Sequence, residues 1–140
     1  MTKTASSATT EPTADAAWVV EHFAQFWSNP DPTKDTGHIA ADVVGRWPDG
    51  QTLNGIEAYR GRLIRIGMLI PDIRLEVLES AVNGNVAFIR WRARGTGNKG
   101  PFEMCGVDRL RVDGDQIKEN IVHFDTATFE DLVGAPLSST

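Results

Sequence analysis

A helical period of apolar positions governs the first half of the chain, and strict alternation governs the second. From about Ala14 to Ser28, Trp18, Val19, His22, Phe23 and Phe26 recur three and four residues apart, which predicts an amphipathic helix with Thr13 or Asp15 as N-cap. Asn29-Pro30-Asp31-Pro32 ends it. A short helical piece over His38 to Val43 is expected to lead into a strand through Gly45, Arg46 and Trp47, closed by a Pro48-Asp49-Gly50 turn. A second helix is predicted from Gly55 to Leu69. It carries Ile56, Tyr59, Leu63, Ile66 and Ile70 on one face, with Arg60, Arg62 and Arg65 mostly away from it, and Pro71 stops it.

Beyond Pro71 the period changes to two. Ile73, Leu75 and Val77 alternate with polar residues up to an Asn83-Gly84 hairpin signal. In the strand Val86 to Arg94, Ala87, Ile89, Trp91 and Ala93 oppose Phe88, Arg90, Arg92 and Arg94. The stretch GTGNKGP reads as a mobile hairpin loop. A strand over 101–112, an Asp113-Gly114 turn and a strand over 116–125 follow, and Ala127 to Val133 reads as a closing helical turn or two. Helices followed by hairpins form an α+β pattern: a cone-shaped, strongly curved antiparallel sheet covered by two or three helices, with a cavity at its open end. Residues 14–134 form the single domain on this reading, between a disordered tail over 1–13 and a C-terminal tail over 135–140.

One residue breaks the alternation. Phe102, Met104, Gly106, Asp108, Leu110 and Val112 share a face, while Glu103, Arg109 and Arg111 share the other, so the Asp108 carboxylate stands on the apolar side. A buried carboxylate needs hydrogen-bond partners, a proton, or a wet or ligand-filled pocket. Two readings stand: an acid satisfied by an indole, hydroxyl or arginine, or an acid/base group in a cavity.

Composition narrows the function classes. The 140 residues suit one core. A net charge of −5 with scattered Lys and Arg argues against nucleic acid and anionic membranes, and no apolar run reaches membrane-spanning length. MTKTASSATTEP lacks the apolar stretch of a secretory signal. Cys105 is the sole cysteine, which excludes an intrachain disulfide and fits a reducing cytoplasm; without an activating partner it is expected to be inert. His22, His38 and His123 show no metal-ligand spacing, GTGNKG lacks the GK[ST] ending of a phosphate loop, and no Gly-x-Ser-x-Gly elbow appears. Neither metal nor cofactor is expected.

The order of elements, with GRWPDGQTLNGIEAYRG, PDIRLEVL, FIRWRARGTG and GVDRLRVDGDQIKENIVHFD, resembles the SnoaL-like branch of the nuclear transport factor 2-like superfamily over roughly residues 15 to 134. The resemblance implies the cone fold and a pocket, and fold alone does not choose among its isomerases, dehydratases, cyclases, epoxide hydrolases and non-catalytic modules. The acid of the polyketide cyclases falls on Val122, and the limonene epoxide hydrolase triad falls on Ile89, Trp91 and Val122. Of the ketosteroid isomerase set, the base falls on Trp47 and the tyrosine on Phe23, while Asp108 matches the oxyanion-hole acid, which that family keeps protonated.

The expected function is therefore a small-molecule pocket protein of SnoaL-like type. One version is a cofactor-independent isomerase, dehydratase or cyclase acting on a hydrophobic ring compound through Asp108; the alternative is a non-catalytic binding or assembly module with eroded catalytic positions. Trp47, Tyr59, Trp91, Phe23, Met104, Asn120 and Val122 are the expected ligand-binding residues. A three-residue Asp-Gly loop turns Asn120, Val122 and Phe124 inward, a two-residue loop turns Ile117, Ile121 and His123 inward, and the family register favours the first. His123 then reads as a surface or subunit contact, Asp125 as a cap of the last helix beside Thr126, and His38 as a solvated helix position near Asp42. Arg90, Arg92, Arg94, Arg109 and Arg111, alternating with Phe88, Glu103, Cys105 and Val107, make a mixed outer face suited to a homodimer.

Overall fold

A computed structural model describes residues 15–34 and 37–138; the expected 1–13 tail and the Thr13 cap lie outside the described residues. The described elements run α1 (Ala17–Ser28), β1 (Ile39–Arg46), β2 (Thr52–Asn54), α2 (Ile56–Leu69), β3 (Arg74–Asn83), β4 (Val86–Gly97), β5 (Gly100–Asp113), β6 (Gln116–His123) and α3 (Thr126–Val133). Asp15 Oδ1 accepts the Ala17 N–H at 2.8 Å and so satisfies one free donor at the start of α1. Asp125 caps α3 as expected, its Oδ1 accepting the Ala127 and Thr128 N–H groups, while the Thr128 hydroxyl rather than Thr126 bonds its Oδ2 at 3.0 Å.

The strands form one six-stranded sheet in the order β2-β1-β6-β5-β4-β3. It is mixed, because β1 pairs with β6 in parallel; every other pairing is antiparallel, as the meander reading expects. The helical piece expected over 38–43 is instead the first part of β1, with Ala40, Val43 and Gly45 buried. Its partner β6 lies some seventy residues on, with no hairpin between them to reveal the pairing.

Turn chemistry explains two further differences. GTGNKGP is a hairpin as expected, but most of it is strand: Gly97 pairs with Gly100 across a tight Asn98-Lys99 turn. The next hairpin turns on Gly114-Asp115, a two-residue loop that brings Ile117 inward. An extra residue at Lys118 then shifts the register, so that Asn120 and Val122 face inward and His123 outward. The inward set expected from a longer loop thus arises from a bulge. A second bulge at Leu78 interrupts β3, and both increase local twist and bend.

Helices α1 and α2 lie on the same side of the sheet, α1 over β3 and β4 and α2 over β1 and β2. Ile89, Trp91, Ala93, Phe102, Met104 and Leu110 form the buried face that alternation predicts, with Asp108 among them. Beyond α3 the chain returns to α2: Leu137 is buried, and Arg65 donates to the carbonyls of residues 136–138.

Arg62 departs from its expected solvent-facing role. It is buried, its Nη2 pairs with Asp49 Oδ2 at 3.0 Å, and its guanidinium lies 4.9 Å from the centre of the Trp47 ring. The Ser138 hydroxyl donates to the same Asp49 oxygen at 2.8 Å. Arg62→Met is expected to lower stability by about 3 kcal/mol in urea unfolding, because it leaves a half-buried carboxylate without its counter-charge. A loss below about 1 kcal/mol would show that Ser138 and water suffice.

Candidate functional site

Between the two helices and the sheet lies a cavity in which the centre of a water-sized sphere can move through about 120 Å³. One water needs roughly 10–15 Å³ on such a measure, so the space suits a small ring or several waters. All the expected site residues line it: Phe23 from α1, Trp47, Tyr59 from α2, Trp91 from β4, Met104 and Asp108 from β5, and Asn120 and Val122 from β6. Apart from these, most of the wall is aliphatic or phenyl, including Ile66, Ile70, Leu75 and Phe102.

Four buried polar side chains of the wall form a continuous hydrogen-bond chain. Tyr59 Oη donates to Asn120 Oδ1 at 2.8 Å, Asn120 Nδ2 donates to Asp108 Oδ2 at 3.0 Å, and Trp91 Nε1 donates to Asp108 Oδ1 at 2.8 Å. Each carboxylate oxygen thus accepts one N–H bond and keeps a lone pair. Trp91 reaches Asp108 because its ring lies across Gly106, its partner on β5, where a Cβ would stand 2.3 Å from Cζ2. Tyr59 reaches Asn120 by packing over Gly45, which pairs with Asn120 across β1 and β6.

Opposing effects set the state of Asp108. Burial disfavours its charge, whereas the Asn120 and Trp91 bonds, and then His123, favour it; burial wins, and the pKa is pushed up to about 6. Burial, with help from the Asp108 charge, raises the Tyr59 hydroxyl far above its usual range, so Tyr59 stays a neutral donor. Trp47 Nε1 is the buried side-chain donor among the described residues that has no hydrogen-bond partner. Its indole nitrogen is close to Gly45, 3.3 Å from where a Cβ would be.

Other sequence candidates lie apart. His123 and Cys105 are exposed. His38 is not on a helix: it precedes β1, its Nδ1 is 2.8 Å from the Asp115 carbonyl oxygen, and its ring packs against Trp18 and His22 at 5.0 and 4.9 Å between centroids. His22 also lines the cavity, and its place in the apolar stripe of α1 is the sequence signal for that position. Burial first, and then His38, lower its pKa, so its imidazole is neutral at pH 7. Among the described residues no group of three or more His, Cys, Asp or Glu could hold a metal, and no helix is long and apolar enough to cross a membrane.

Comparison with solved structures returns the same architecture. A hypothetical protein with a ketosteroid isomerase-like fold from Catenulispora acidiphila, in complex with trimethylamine, is 21% identical with a TM-score of 0.75, over 89% of this chain and 98% of that one. A candidate SnoaL-like polyketide cyclase from Jannaschia is 14% identical, TM-score 0.73, over 91% and 98% of the two chains. IdmH, a candidate polyketide cyclase from Streptomyces antibioticus, is 21% identical, TM-score 0.72, over 86% and 99%. At these identities the likeness is one of fold. No curated protein matches the chain. The model of the SnoaL-like domain matches residues 20–120, which include most of α1, all of α2, Asp108 and most of the residues that line the cavity, and the chain belongs to that family.

Proposed function

We propose that this protein binds a hydrophobic ring compound in the cavity and acts on it as a cofactor-independent isomerase, dehydratase or cyclase, with Asp108 as acid/base. The observation that carries the reading is a carboxyl group on the wall of an apolar cavity with its pKa near 6. Such a group exchanges a proton near neutral pH without a strong driving force either way. As base, Asp108 takes a proton from a substrate carbon through its remaining lone pair and returns it elsewhere on the same molecule, so no redox partner is needed. Trp91 and Asn120 hold the carboxyl in place, and Phe23, Met104, Trp47 and Val122 offer the apolar seat. Screening ring ketones and hydroxy compounds for turnover, with a pH–rate profile on any hit, tests this: the rate should rise through pH 6 for a base or fall for an acid.

One observation favours the binding module instead. Both Asp108 oxygens already accept bonds, and apolar residues occupy the family's other acid positions, at Trp47 and Val122. Ligand binding without turnover, unchanged by Asp108→Asn, would select that reading.

A homodimer through the outer sheet face completes the proposal. Phe88 and Cys105 are exposed there, while Arg92–Glu76 and Arg94–Glu103 ion pairs at 2.9 and 3.0 Å already offset much of its charge. Light scattering is expected to give twice the chain mass, and a monomer mass at working concentration contradicts it. A cytoplasmic setting and independence of nucleic acid accord with the lone thiol and the net charge of −5.

A further inference from the structure

The cavity carries positive charge at its mouth that its interior lacks. Most lining residues that keep solvent exposure come from α1, the turn after it, and α2: Phe26, Trp27, Pro32, Lys34, Arg60 and Leu63. The two cations of the wall, Lys34 and Arg60, are both in this group, and its carboxylate, Asp108, is buried.

Among the described residues neither cation has a buried carboxylate partner. Among the described residues no carboxylate forms an ion pair with Lys34: the nearby Asp31 feels its charge weakly and bonds the Thr33 hydroxyl and backbone N–H. Arg60 has Glu57 at 3.4 Å, but that carboxylate is 88% exposed, and such pairs are worth little. Neither Asp31 nor Glu57 lines the cavity. His22, also on the wall, offers a neutral imidazole.

Building on the pocket reading above, we infer that the ligand is amphiphilic: an apolar ring or chain that enters the cavity, ending in an anion, most simply a carboxylate, held at the mouth by Lys34 and Arg60. Orientation follows from charge. An anion carried inward would leave water, lose the cations and meet the Asp108 carboxylate, whereas an anion at the mouth stays hydrated and paired. The chemistry at Asp108 then falls on the end of the ligand remote from its anion.

Calorimetric titration with phenylbutyrate and with phenylbutanol, which share an apolar body and differ in the anion, tests this. At low salt the acid is expected to bind about five-fold or more tighter than the alcohol. In Lys34→Gln/Arg60→Gln, which removes both charges while the glutamine stems keep much of the packing, the two probes should bind alike. Equal affinity in the wild type, or a preference for the acid that survives in the double variant, overturns the amphiphilic ligand and leaves the apolar pocket standing. Binding of neither probe overturns both.

Discussion

Asp108→Asn should fold more stably than the wild type at pH 7 and turn over substrate at least about a hundred-fold more slowly. The stability half follows from linkage. An acid whose pKa rises from 3.8 to about 6 on folding binds its proton more tightly in the native state. Its contribution to stability is therefore greatest below pH 4 and declines as pH climbs through 6, by at most about 3 kcal/mol. Asparagine carries no charge to bury. The network adapts at a cost: with the Asn120 amide turned over, the new amide donates to Asn120 Oδ1 and Trp91 keeps its acceptor, but the Tyr59 hydroxyl loses its acceptor and Asn120 gives up its long bond to the Arg109 carbonyl, which costs about 1 kcal/mol at every pH. Between about pH 4 and pH 7 the stability difference is expected to shift in the variant's favour by about 2–3 kcal/mol in urea unfolding, which outweighs that cost at pH 7. Other carboxylates have lowered pKa values, so only the difference between the two proteins isolates Asp108. A variant that loses stability at pH 7 would mark Asp108 as a structural carboxylate, and one that keeps full turnover would remove it from the chemistry.

The second large effect belongs to a residue with no side chain. At Gly106 a methyl group would stand 2.3 and 2.5 Å from Trp91 Cζ2 and Cη2 and 2.8 Å from the His123 carbonyl oxygen. The carbonyl belongs to β6 backbone and cannot move far, so the indole must leave, and Asp108 loses a donor as it does. Overpacking costs about 1–3 kcal/mol and a lost bond to a charged group about as much again. Gly106→Ala is accordingly expected to lower stability by about 3 kcal/mol or more, with a changed near-ultraviolet signal from the displaced tryptophan. Loss of the Trp91 bond also removes one influence that holds the Asp108 pKa down, so its titration should move upward. A stability change below about 1 kcal/mol with an unaltered tryptophan signal would mean that the indole has room to spare.

These residues differ in how far the sequence exposes them. Asp108 and Trp91 stand out in strict alternation, because a two-residue period assigns every side chain on a strand to a face. Gly106 lies on that same face, yet its partnership with Trp91 depends on the register between β4 and β5, which a single sequence does not carry. Asn120 was reached through the family register; the bulge at Lys118 that turns it inward has no Gly or Pro to announce it. Tyr59 shows in the helical stripe of α2, but its bond to Asn120 spans sixty-one residues. Arg62 lies off that stripe, and only the return of the Asp49 turn and residue 138 explains its burial. The strand β1 reads in part as helix because local periodicity reports faces and not partners, and its partner β6 is remote in the chain.

The resemblance and the geometry also speak to different questions. The fold shelters an apolar cavity, while the carboxyl, its two donors and the cations at the mouth set what chemistry that cavity can hold. The functional reading therefore rests on whether Asp108 titrates where its burial places it. Following the side-chain carboxyl carbon of Asp108 by carbon-13 NMR across pH 3 to 9, assigned with Asp108→Asn, measures that directly. A midpoint near pH 6 is the predicted result. A midpoint at or below the ordinary aspartate value of 3.8 would contradict the account, since the carboxylate would then be a fixed anion tied to Trp91 and Asn120 rather than a group able to move a proton at neutral pH.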